Sequence, residues 1–302
     1  MKAHYLTADV FTDHRFGGNQ LAVFPDAGEI APELMQQIAR EFNYSETTFV
    51  LPPADPNHTA KVRIFTPGGE LQFAGHPTIG TAHVLAAIGA VPLTGAETRI
   101  VLEEGVGPVP VTIRAVNGQP DFCELSAAKL PEVGPRPPSN ETLASILSLS
   151  PGDILSGGMS AEAVSCGTPF LFVPLRDRET VGRARVKVDL FEAALSKYLT
   201  SKVFVFAMDG ERPGSDVRAR MFAPGIGVAE DPATGSAAVA LGGYLASRDP
   251  RFEGTLRWVV EQGFEMGRPS ILEVEADKKD GKITAARVGG RTVLVCDGTI
   301  TL

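Results

Sequence analysis

The chain has 302 residues, with 28 Lys and Arg against 36 Asp and Glu, so its formal net charge is −8 and its pI is near 5.2. That acidic balance argues against a protein built to grip nucleic acid or an anionic membrane surface, because both need a basic face to neutralise phosphates. With 43% hydrophobic and 21% charged residues the chain reads as an ordinary folded protein, and its length fits about two domains. The 32 Gly and 23 Pro imply many turns and hence many short strands. Three scattered cysteines, Cys123, Cys166 and Cys296, make neither a disulfide framework nor a metal cage. The longest apolar stretches, Ala82–Leu93 and Ala237–Ala246, are too short to span a bilayer, and the first residues lack the apolar core of a secretory signal. A cytoplasmic protein with no membrane or nucleic-acid partner is the expectation.

In chain order, apolar spacing predicts strands at Tyr5–Thr12, Leu21–Phe24, Thr48–Leu51, Arg99–Leu102, Val109–Arg114, Phe122–Leu125, Phe170–Leu175, Val203–Ala207, Ile271–Glu275, Lys282–Val288 and Thr292–Cys296. Outer helices are predicted at Pro32–Phe42, where Leu34, Ile38 and Phe42 recur behind an N1 proline, and at Asn140–Leu147, Leu190–Tyr198 and Thr255–Phe264. The proline-rich stretch Pro131–Ser139 reads as a linker between lobes.

An internal repeat organises these elements. Arg63-Ile64-Phe65-Thr66-Pro67 is followed, after a glycine loop, by Gly75-His76-Pro77-Thr78-Ile79-Gly80-Thr81-Ala82. Arg220-Met221-Phe222-Ala223-Pro224 is followed, after another, by Asp231-Pro232-Ala233-Thr234-Gly235-Ser236-Ala237. The shared core is [His/Asp]-Pro-x-x-Gly-[Thr/Ser]-Ala, offset by 155 residues. Two copies are too few for a solenoid and point to two similar lobes. Each copy reads as strand, loop and a helix apolar on nearly all sides, which must be buried. The expected fold is α+β, with two pseudo-symmetric lobes, each a rolled, mostly antiparallel sheet around a central helix. Residues 1–120, completed by 288–302, would form one lobe and 121–287 the other, with the active site in the cleft between them.

Helix starts offer unsatisfied N–H groups, so Gly80-Thr81 and Gly235-Ser236 are candidate holders of a substrate carboxylate. His76 and Asp231 share a place in the two repeats and suit proton handling, although each could also simply cap its own helix. Glu46, in Tyr44-Ser45-Glu46-Thr47-Thr48, is a further acidic candidate; alone it reads as a solvated turn acid. Gly225-Ile226-Gly227 lacks the third glycine of a dinucleotide site, and no phosphate-loop or metal motif is present.

Taken together, Asn19-Gln20-Leu21-Ala22-Val23-Phe24, Ser45-Glu46-Thr47-Thr48-Phe49, Phe65-Thr66-Pro67 through Gly75-His76-Pro77-Thr78, Asp231-Pro232-Ala233-Thr234-Gly235-Ser236-Ala237, and Glu261-Gln262-Gly263 with Met266-Gly267-Arg268-Pro269-Ser270 resemble the PhzF-like, phenazine biosynthesis-like family over essentially the whole chain. Gln20 stands where the family commonly has proline. The resemblance implies a diaminopimelate epimerase-like fold, a homodimer, and cofactor-free isomerisation by proton transfer. It carries the glutamate that removes and returns the proton to Glu46, supporting acid/base roles to His76 and Asp231, and substrate contacts to Gly75 and Ser236. Related racemases use two cysteines at the helix starts; those starts read Gly75-His76 and Glu230-Asp231 here, which disfavours a two-thiol mechanism. The expected activity is an isomerase moving a proton on a small carboxylate. The alternatives are a thiol-independent epimerase or racemase, and a non-catalytic binder of small acids on the same scaffold.

Overall fold

Residues 2–302 are described by a computed structural model, and the chain divides into two compact units. The first runs to Ser126 and takes back Gly289–Leu302; the second is Ala127–Val288. Both are mixed α and β, with few helices and many short strands.

In the first unit the elements are β1 (Lys2–Val10), β2 (Asn19–Phe24), α1 (Pro32–Phe42), β3 (Glu46–Leu51), β4 (Ala60–Phe65), β5 (Glu70–Leu71), α2 (Gly75–Ala87), β6 (Glu97–Glu104), β7 (Gly107–Val116) and β8 (Gln119–Ser126), and the C-terminal strand Thr292–Thr301 joins them. Strand order is C-terminal strand, β1, β2, β3, β4, β6, β7, β8. Only β2–β3 and β4–β6 are parallel. Every residue of α2 from Gly75 to Ala86 is buried, and the helix touches β1, β2, β3, β7, β8 and the C-terminal strand. An apolar helix with no solvent face needs a surface on every side, and a sheet rolled around it supplies one. The amphipathic α1 packs outside, where Met35 and Ile38 meet Phe24, Phe49 and Phe65.

Close approach to α2 depends on Gly80. A β-carbon there would lie 2.5 Å from Leu21 Cδ2 and 2.6 Å from Val10 Cγ2, inside van der Waals contact. Gly80→Ala is therefore expected to destabilise the fold by about 1–3 kcal/mol through overpacking, despite alanine's better helix propensity. Denaturant unfolding measures it; an unchanged or higher midpoint would show that the sheet yields freely at this point.

The second unit contains β9 (Glu132–Val133), α3 (Asn140–Leu147), β10 (Glu162–Ser165), β11 (Pro169–Pro174), α4 (Arg178–Arg183), α5 (Val188–Leu195), β12 (Val203–Ala207), β13 (Val217–Ala223), β14 (Val228–Asp231), α6 (Gly235–Arg248), β15 (Gly254–Gln262) and β16 (Ser270–Lys279), with β17 (Lys282–Gly290) crossing the boundary between the units. Its order is β9, β10, β11, β12, β13, β15, β16, parallel only at β11–β12 and β13–β15. The parallel–antiparallel–parallel pattern of β2–β3–β4–β6 thus recurs as β11–β12–β13–β15. The buried helix α6 touches β10, β11, β15 and β16, and Gly242 lets Val274 of β16 approach it.

Three expectations change. The helix expected at Thr255–Phe264 is the strand β15, paired residue for residue with β16 from Gly254↔Lys278 to Gln262↔Ser270. Thr255, Trp258, Val259 and Val260 favour a pleated surface, and neighbouring strands decide the conformation over the chain's helical spacing. Pro131–Ser139 is part of the second unit rather than a free linker: Gly134 N donates to Ala163 O, and Tyr198 Oη donates to Pro135 O at 2.8 Å.

The third change concerns the register of the repeat. The helices open at Gly75 and Gly235, so His76 corresponds in the fold to Ser236. Asp231 closes β14 opposite Met221, the place held in the first unit by Leu71 opposite Ile64. The shared His-Pro and Asp-Pro letters are out of step with the backbone. Pro77 lies within the first turn of α2, where its missing N–H costs nothing, whereas Pro232 lies in the loop before α6.

Candidate active site

The first unit gathers a polar cluster where β2, β3 and α2 begin. Glu46 opens β3 and, by parallel register, lies beside Leu21 of β2; Asn19 opens β2; His76 is the second residue of α2. Glu46 Oε2 is 3.3 Å from His76 Nε2, and the Asn19 amide nitrogen is 3.3 Å from His76 Nδ1. His76 is 4% exposed and Asn19 1%, while the Glu46 side chain keeps 15% of its surface open. Burial drives the His76 pKa down from 6.5 to about 3, against a backbone hydrogen bond with Gln20 that favours the charged ring. The imidazole is therefore neutral at ordinary pH. The contact with Glu46 is a carboxyl group beside a neutral ring, not an ion pair, and His76 does not titrate near neutrality as its residue type alone had implied.

Gly80 and Thr81 do not join this cluster. They lie in the second turn of α2, past the open N–H groups of its first turn, and Thr81 is fully buried with its hydroxyl 2.9 Å from that of Thr48. Gly80 faces Leu21 and Val10. Both serve packing, and the open N–H groups of this helix start belong to Gly75 and its neighbours.

In the second unit α6 begins at Gly235-Ser236, so there the expected pair does supply first-turn N–H groups, and Ser236 keeps partial exposure. Asp231, 8% exposed, accepts from Thr234 Oγ1 at 2.5 Å. Gln262 locks the loop between them: its amide nitrogen donates to Asp231 O at 2.7 Å and to Thr234 Oγ1 at 3.0 Å, and its Oε1 accepts from Thr234 N at 3.1 Å. Gly263 follows with φ +77°, and a β-carbon there would meet Pro232 O at 2.5 Å. Asp231 precedes the helix on β14 rather than capping α6. Glu230 beside it is bound to Arg220, so Glu230-Asp231 is a strand end and not a helix start.

The residues that reading by motif missed are Asn19, Thr234 and Gln262. Asn19 and Gln262 stand in the recurring blocks quoted above, but a neutral amide announces no chemistry until its neighbours are known. The thiols stay out of both clusters: burial pushes Cys123 and Cys166 up to about 12, so neither is a ready thiolate. Among the described residues no group of three or more His, Cys, Asp or Glu is placed to hold a metal ion, and no helix is long and apolar enough to cross a membrane.

Sheets packed around buried helices agree with the diaminopimelate epimerase-like fold that the resemblance implies. Residues 8–298 match the family model described as phenazine biosynthesis-like protein. The chain is 38% identical over 300 residues to an uncharacterized isomerase of Mesorhizobium japonicum, covering 98% of each. It is 35% identical over 302 residues to the trans-2,3-dihydro-3-hydroxyanthranilate isomerase of Pseudomonas chlororaphis, covering 99% of each. A crystal structure of the Bacillus anthracis PhzF-family phenazine biosynthesis protein superposes with a TM-score of 0.90 over 100% of both chains at 24% identity, a likeness of fold. The chain belongs to the phenazine biosynthesis-like, or PhzF, family, and it is an isomerase.

Proposed function

We propose that this isomerase moves a proton between carbon atoms of a small carboxylate-bearing substrate without a cofactor, with Glu46 as the general acid/base. The observation that carries this reading is Glu46 Oε2 held 3.3 Å from a neutral, buried imidazole. A carboxylate beside a ring that stays uncharged can take a proton from carbon and return it to another carbon. His76 orients Glu46. Asp231, held by Thr234 and Gln262, has the supporting acid/base role, Gly235 and Ser236 offer N–H donors to the carboxylate, and Gly75 contacts the substrate. The name of the Pseudomonas chlororaphis relative supports a cyclic amino acid of the dihydro-hydroxyanthranilate type as a first substrate to try. The working form is a cytoplasmic homodimer, which light scattering of the purified chain tests.

Incubating trans-2,3-dihydro-3-hydroxyanthranilate and a panel of small unsaturated or amino acids with the protein in deuterated water tests the reading. The expected result is deuterium at carbon in at least one acid, with formation of its isomer. Saturable binding with no label at any carbon would instead make the chain a binder of small acids and end the catalytic assignment.

A further inference from the structure

Glu104 closes β6 beneath the first turn of α2, a place the scheme above does not use. It is a buried carboxyl, 7% exposed, whose Oε2 has no hydrogen-bond partner. Its Oε1 is 2.5 Å from Thr78 Oγ1, and that same hydroxyl is 2.7 Å from Ala74 O. A threonine hydroxyl has one proton. It cannot donate to the backbone carbonyl and to a carboxylate at once, so one of the two short contacts must take its proton from the other side. Ala74 O has none to give.

We infer that Glu104 is a neutral carboxylic acid that donates its proton to Thr78 Oγ1, which in turn donates to Ala74 O, and that this chain pins the first turn of α2 and positions Gly75 and His76. Glu104 is thus a positioning residue acting through Thr78. The charged and titratable groups on the elements packed around it are Lys61 and Arg63 on β4, Glu70 on β5, Glu97, Arg99 and Glu103 on β6 itself, Arg114 on β7, and His76 and His83 on α2. None of them governs its ionisation. Burial raises its pKa to about 8, with the Thr78 contact opposing, so the geometry and the electrostatics agree on the protonated form. Glu103, its neighbour on the opposite face of the strand, accepts from Ala54 N, Asp55 N and His58 instead.

The folded chain then binds this proton more tightly than the unfolded chain does. Stability contributed by the neutral group is full below the ordinary carboxyl range and is lost as pH rises to about 8, after which the dependence levels off. Glu104→Gln keeps a donor for Thr78 and cannot ionise. Relative to that variant, the unfolding equilibrium constant of the parent should rise by about tenfold per pH unit over most of the range from 5 to 8. An infrared difference spectrum of parent against Glu104→Gln should also show one protonated-carboxyl band at pH 6 that fades as pH passes about 8. Glu104→Ala and Thr78→Val, which break the chain, should shift the His76 ring signals in NMR, whereas Glu104→Gln should restore them. Parallel unfolding profiles for parent and Glu104→Gln, or no protonated band, overturn the inference. That positioning His76 serves catalysis rests on the proposed role of Glu46 and His76; if the parent exchanges no label, that proposal fails while the band and the unfolding slope still decide Glu104.

Discussion

Glu46→Gln is expected to lower proton exchange into substrate by about 10²- to 10⁴-fold, the usual contribution of a positioned general acid/base, with far less effect on substrate affinity. Glutamine keeps the shape of the side chain and its place beside His76 and loses only the ability to accept and return a proton. Deuterium incorporation at carbon, followed against time for parent and variant, is the measurement; exchange within a few-fold of the parent would remove Glu46 from the mechanism. His76 supplies the companion result. With its pKa near 3 the ring stays neutral from pH 5 to 9, so the exchange rate should show no inflection at the ordinary imidazole value of 6.5. An inflection there that disappears in His76→Asn would show instead that the ring titrates in the working enzyme. Stability changes at lower pH: the folded chain resists protonating His76, and burial likewise lowers His83 to about 4. Their contribution is full above 6.5 and is lost as pH falls through those values, so acid unfolding should set in as pH drops from about 6 toward 4.

The largest structural effect is expected at Arg220→Ala, with a loss of about 3–5 kcal/mol, or a melting point lower by roughly 10 °C. Arg220 is 4% exposed on β13, and its guanidinium forks onto both oxygens of Glu230 at 2.7 and 2.8 Å. Its remaining donors reach Val181 O at 3.1 Å and Ala184 O at 2.8 Å, closing the end of the short helix α4. Removing it strands a largely buried carboxylate, whereas Val181 O keeps the Ala184 N–H at 3.2 Å and Ala184 O keeps Arg185 Nη1 at 2.7 Å. The double variant with Glu230→Gln should regain the part due to the stranded charge, while the lost packing and contacts of the guanidinium keep it below the parent. Thermal unfolding of the single and double variants separates the two terms, and a single variant as stable as the parent would show that water replaces the guanidinium without cost. Glu230 adjoins Asp231, so the same ion pair steadies the strand end that holds the proposed acid.

The chain's apolar runs determined its central helices: Thr81–Ile88 and Ser236–Leu245 carry no polar stripe, so each had to be wrapped, and the strands that wrap them were legible as short alternating segments. Pro32–Phe42 and Asn140–Leu147 were readable to the residue because a proline start and a periodic apolar face are local signals. Thr255–Phe264 was not, since its β-branched residues take their conformation from β13, which is distant in sequence, and from the following strand β16. Glu46, His76, Asp231 and Ser236 could be picked out as candidate groups by type and motif, but three facts belonged to the tertiary structure alone. Burial makes His76 neutral, the helix starts align its place in the repeat with that of Ser236 instead of Asp231, and sheet packing buries Gly80 against Leu21 and Val10 and Thr81 against Thr48. Desolvation and hydrogen bonding depend on atoms that meet only when remote segments fold together, and a string of residue types, however periodic, does not contain those distances.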